Sequence, residues 1–209
     1  MFQNINTIIK RLIFVDFFFN SALGTFAPIF AIFITRQITD GSASVVGMAT
    51  AVFWIVKSIV QLPVARFLDK TKGEKDDFWT MFCGYIISAL VPLGYLFVTK
   101  PWHLYVVQGI YGFAMALAVP SWYAIFTRHV DEWRISFEWS LQSVFSFGIP
   151  VAISAAVGGY IVDAFGFQVL FVIASVIAVG AALLQLPLRH EIRHQEDGQK
   201  RIFPERHIK

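Results

Sequence analysis

An all-α membrane protein of six transmembrane helices is the fold class that this sequence predicts, and three observations predict it. Hydrophobic residues make up 56% of the 209 and charged ones only 15%, against about 25% charged in ordinary soluble domains. Apolar stretches long enough to cross a bilayer core of roughly 30 Å, which takes about 20 helical residues, recur with short polar gaps between them. Basic residues then collect in alternate gaps, the asymmetry that orients a membrane protein.

The spans run over 12–35, 43–65, 78–98, 102–126, 138–162 and 167–188. The first follows Lys10 and Arg11. It is too long for the apolar core of a signal peptide and lacks a small-residue cleavage site, so it is expected to be retained as a helix. The second stops just before Arg66, and the third holds the single cysteine, Cys83. One thiol excludes an intrachain disulfide and is too little for a cysteine metal site, so Cys83 is expected to pack as a small apolar residue. Gly109, Gly112, Ala114, Ala116 and Ala118 in span four, with Ser154, Ala155, Gly158 and Gly159 in span five, would let helices approach closely. Pro28, Pro63, Pro92, Pro120 and Pro150 place one proline in each of the first five spans. Each frees a backbone carbonyl that a neighbouring helix has to satisfy. After span six comes a polar stretch, 189–209, too hydrophilic to fold alone.

The net charge is +3, yet 14 of the 17 Lys and Arg lie in the N-terminal segment, the 66–75 loop, the loop holding Arg128 and Arg134, and the tail. Arg36 and Lys100 are the two on the other side, and Lys57 lies inside a span. The positive-inside rule puts both termini in the cytoplasm of a cell membrane, inner or plasma, and gives the basic excess a lipid rather than a nucleic-acid explanation.

Three motifs carry a family resemblance. The loop ARFLDKTKGEKDDFW, from Ala65 to Trp79, places an acid at Asp69, a base at Lys70, a turn glycine at Gly73 and a trailing base at Lys75. It resembles the signature between helices two and three of the major facilitator superfamily, with Ala65 for the leading glycine and one extra residue before Gly73. VVQGIYGFAMALAVP in span four is similar to the family's arginine-to-QG segment at Gln108 and Gly109, with Tyr105 in the arginine's place. AAVGGYIVDAFGFQVLF resembles the pattern that closes helix five and opens helix six, around Gly158, Gly159, Asp163, Gly166 and Phe171.

The resemblance implies a half of the usual twelve-helix architecture, an inverted three-plus-three repeat. A second copy in a parallel homodimer would then supply the other half. A heterodimer, or a fragment whose tail is the loop joining two halves, are the other arrangements. It also implies a gate in which Asp69 sits against the span-five start near Glu138 of the opposite half, where free N–H groups favour an anion. Lys70 and Lys75 would pair with Asp131 or Glu132. Substrate residues are expected from spans one and four, with two and five flanking.

Polar residues at helical spacing fit such a lining. They are Asp16 and Asn20 in span one, Trp54, Lys57 and Gln61 in span two, Gln108, Tyr111 and Trp122 in span four, and Gln142 in span five. Lys57 leads, because an ammonium deep in a span costs at least ~2.5 kcal/mol unless water, a ligand or an acid meets it. It would hold an anionic substrate, titrate as a coupling group, or pair with Asp16 or Glu138. Asp16 leads for proton coupling, although about a turn into its span it could equally face the cytoplasm. No nucleophile, base and metal constellation points to an enzyme, and no cofactor or metal is expected. The function expected is secondary or facilitated transport of a small solute by alternating access, with coupling to protons or ions open. A non-transporting membrane scaffold is the alternative.

Overall fold

A computed structural model of the chain describes residues 5–70 and 73–192, and every regular element in them is helical. Helix α1 (Thr7–Gly24) begins where the Asn6 carboxamide accepts the Ile8 N–H at 3.0 Å, meeting one of the donors a helix start leaves open. Pro28 has no N–H to give the carbonyl of Gly24, and α1 ends there. A tight turn, Ala27–Ile29, leads into α2 (Phe30–Gln37). Then come α3 (Ala43–Lys70), α4 (Lys75–Tyr95) and α5 (Pro101–His129), the last opening on a proline whose missing N–H costs nothing at that position. A short α6 (Ile135–Gln142) passes through a widened π segment, Ser143–Gly148, into α7 (Ile149–Leu183). The predicted polar tail lies almost wholly outside the described residues, as do Thr71 and Lys72.

Five helical stretches among the described residues are long and apolar enough to cross a membrane: Thr7–Gln37, Ala43–Lys70, Lys75–Tyr95, Pro101–His129 and Ile135–Ile192. The fifth is not one rod. At Gly166 the backbone takes φ 83° and ψ 171°, open to glycine and strained for other residues, and α7 divides into two arms. Contacts with the first helices give the direction of each arm. Asn20 meets Ser146, Gly24 meets Ser154 and Thr25 meets Gly158, an ascending series. Arg11 meets Glu191, Phe26 meets Phe171 and Phe33 meets Phe167, a descending one. The arms therefore run in opposite directions beside α1 and α2.

Small residues set how closely the helices pack. A Cβ added at Gly84 would lie 2.6 Å from the Ala114 carbonyl, so α4 and α5 touch backbone to backbone. Gly112 approaches the Phe53 carbonyl of α3 in the same way, and Gly158 the carbonyl of Thr25. Gly159, expected to help, faces open space. Above these contacts Phe26, Phe33, Tyr95 and Phe171 form an aromatic core with ring centroids 4.9 to 6.1 Å apart. Cys83, expected to pack, is exposed.

The ends of the bundle are also defined. Arg11 binds Glu191 at 2.6 Å, and Arg189 lies over Trp79 at 5.2 Å. The start of α1, the loop before α4 and the residues after α7 therefore share one end. At the other, the Thr39 N–H reaches the Thr99 carbonyl at 3.1 Å, tying the loops after α2 and α4. Gly158→Ala is expected to destabilise the protein by about 1–3 kcal/mol through overpacking, and Gly159→Ala to leave it unchanged. Thermal unfolding of the purified variants in one detergent compares them.

Candidate functional site

The site begins with a helix that starts early. Because α1 opens at Thr7 rather than at 12, Asp16 lies nine residues in, about 14 Å along the axis at 1.5 Å per residue. It is thus further along its helix than the turn counted from the start of the apolar stretch. Its carboxylate is buried and accepts a hydrogen bond from the Tyr85 hydroxyl of α4. One turn further, the Asn20 amide donates to the Ser146 carbonyl at 2.7 Å. The reason is local: Pro150 offers that carbonyl no helical N–H, and Asn20 supplies one. The π segment, the kind of irregularity that gathers at functional sites, is thereby fixed against α1.

Between these helices lies a cleft of about 130 Å³. Asp16, Phe19 and Asn20 line it from α1, Tyr85 from α4, and Met115, Ala118, Val119, Trp122 and Tyr123 from α5. Trp139, Gln142 and Phe147 close it from α6 and the π segment. Among the described residues, Asp16 is the only charged one in the lining. The buried Trp122 indole N–H lies close to the Asp16 carboxylate without a well-formed hydrogen bond to it. A second cleft of about 210 Å³ lies toward the opposite end, lined by Phe26, Phe30, Thr50, Phe53, Tyr95, Gln108 and Tyr111 among others.

Four sequence-derived candidates, Asp16, Asn20, Trp122 and Gln142, thus meet in one cleft, and Gln108 and Tyr111 share the other. Trp54, Lys57 and Gln61 line neither. They belong to α3, of which only Val45, Ala49 and Leu68 are buried. The Lys57 ammonium rests 4.7 Å from the Trp54 ring, a cation–π contact. Among the described residues no ion pair joins it to Asp16 or Glu138. Tyr85 was not expected here. Its signal was the stripe Tyr85, Ser88, Pro92 and Tyr95 at steps of three and four, all buried, in a helix not expected to line the cavity.

The gate motif forms a different cluster. Gly73 turns the chain with φ 97°. Asp69, Lys70 and Lys75 are exposed, while Glu74 and Asp77 are buried. Arg128, in the last turn of α5, binds Asp77 directly and reaches Glu74 at 3.9 Å, and His129 approaches the same Glu74 oxygen at 3.7 Å. Asp69 lies within electrostatic reach of Arg128. The pairs expected between Lys70 or Lys75 and Asp131 or Glu132 are not formed among the described residues. The acids of the 74–77 turn take Arg128 instead, because it projects from a helix end beside them. Glu138 is fully buried in its own chain, where one oxygen accepts the Asp131 N–H at 3.2 Å. Its side chain is therefore not offered to a neighbour.

A family model, the Major Facilitator Superfamily, matches residues 12–207, nearly the whole chain. The chain belongs to the major facilitator superfamily. No curated protein and no solved structure matches it. For a major facilitator protein the Arg128 cluster gives the signature loop a physical role: it binds the α3–α4 turn to the end of α5. Arg128→Gln would leave Asp77 buried without its cation, an expected loss of about 1–3 kcal/mol. Adding Asp77→Asn should restore part of it. A double-mutant cycle on melting curves measures the coupling.

Proposed function

We propose that the protein is a secondary active or facilitative transporter of a small solute, working by alternating access as a parallel homodimer of two six-helix halves. The Asp16 cleft carries this reading. It is a solute-sized space with aromatic walls and a few convergent polar groups, inside a membrane-protein bundle of this superfamily.

Six crossings are supported by the break at Gly166 and by the opposed arms of α7. A single rod of 58 residues, Ile135–Ile192, would be about 87 Å long, nearly three times the hydrocarbon core. The clustering of basic residues at the end that holds Arg11, Arg128 and Arg189 favours that end as the cytoplasmic one, with Arg36 and Lys100 outside. One sequence with both bundle ends on one side can supply both halves by a two-fold rotation. The little-buried α3 offers the face for it, and Trp54, Lys57 and Gln61 then belong to the subunit interface. Asp69, exposed in the last turn of α3, can meet the α6 start of the partner and release as the halves rock.

Proteoliposomes are expected to show flux of at least one solute among sugars, amino acids, organic anions and organic cations, with or without a pH gradient. Asp16→Asn should cut that flux at least tenfold. Absence of flux across the whole panel, from protein with an intact melting curve, sinks the transporter reading. The homodimer has its own test. A Cys83→Ser, Lys57→Cys protein should give a covalent dimer with a short bis-maleimide in membranes, and monomer alone refutes the arrangement.

A further inference from the structure

We infer that the Asp16 cleft is a binding site for a monovalent organic cation with an aromatic or apolar body. Its use as a transport site rests on the reading above; its chemistry follows from the lining.

Charge is the first observation. Asp16 is buried, no described Lys, Arg or His lines its cleft, and the groups that meet its carboxylate, the Tyr85 hydroxyl and the nearby Trp122 indole N–H, are neutral. A carboxylate in such a place lacks the counter-charge that usually offsets its desolvation, and a ligand ammonium can supply it. An anion would meet only repulsion there, since Lys57 lies on α3 outside the cleft.

The walls are the second. Trp122, Trp139 and Tyr123 form a connected group with ring centroids 5.7 to 6.2 Å apart, and Phe147 lines the same space. Ring faces attract cations and take apolar bodies without large desolvation. Tyr123 and Phe147 are exposed, which places the rings at the mouth as well as the wall.

The third observation is how few polar groups remain uncommitted. The Tyr85 hydroxyl is engaged with Asp16 and the Asn20 amide N–H with Ser146. A sugar needs many paired donors and acceptors, and with the Trp122 N–H directed at Asp16 the cleft keeps little beyond Gln142. A divalent metal needs several oxygen or nitrogen ligands, and among the described residues only one carboxylate lines the space.

The test is equilibrium binding of tritiated tetraphenylphosphonium to the full chain in nanodiscs, with empty nanodiscs subtracted, and competition by small probes. Phenyltrimethylammonium should compete at least tenfold better than its uncharged isostere tert-butylbenzene, and phenylsulfonate should not compete. Asp16→Asn should weaken binding at least tenfold, and Trp139→Ala about three- to tenfold. If Asp16→Asn fails to fold, the isostere ratio and Trp139→Ala decide. Equal competition by cation and isostere, wild-type affinity in folded variants, or no saturable binding overturns the inference. Flux of a sugar or an anion without cation binding removes this inference and leaves the transporter reading standing. Cation binding without any flux does the reverse.

Discussion

The Ser146 carbonyl, deprived of a helical donor by Pro150 and bonded instead by the Asn20 amide, is the contact on which the site depends. In hydrocarbon there is no water to satisfy such a group, so the donor has to come from another helix. The answer fixes more than one bond. It holds α1 against the π segment, sets Asp16 one turn away, and brings Gln142 and Phe147 to the same cleft. A proline that bends one helix thereby orients residues on two.

Glycine and proline divide the work in the rest of the bundle. Gly84, Gly112 and Gly158 let backbones meet where any side chain would hold them apart, and Gly166 reverses the chain. Pro28 ends α1 and Pro150 opens a carbonyl to a side chain. The charged cluster of Arg128, Asp77 and Glu74 does the corresponding work at the membrane edge, where three helix ends converge. Its members lie nearer to water, so its strength depends more on geometry than on low dielectric.

Helix class and approximate helix positions were legible in the sequence, because a span of apolar residues has few other uses. The ends were less legible. Helices continue past the hydrocarbon, so α1 starts five residues before the apolar stretch and α3 continues five beyond it. Asp16 is buried for a different reason, the packing of Tyr85 and Trp122 around it. A third of the cleft lining, Asp16, Asn20, Trp122 and Gln142, could be read from polar residues at helical spacing. Tyr85 could not, because its stripe lies in a helix expected to be peripheral, and which stripe faces inward is decided by packing. Lys57 drew attention through its cost in lipid, yet cost says only that a charge needs company. It does not say which face the residue occupies, and α3 keeps it over Trp54, away from both clefts.

The ion pair between Arg11 and Glu191 clasps the first helix to the segment after the last one. A clasp of this kind has a genetic corollary. A second bundle appended after residue 191 would begin on the face where the first one finished, needing only a short linker and no additional crossing. Tandem duplication and fusion are therefore cheap from this topology, and a linked pair is a natural format for studying two halves that differ by a single residue.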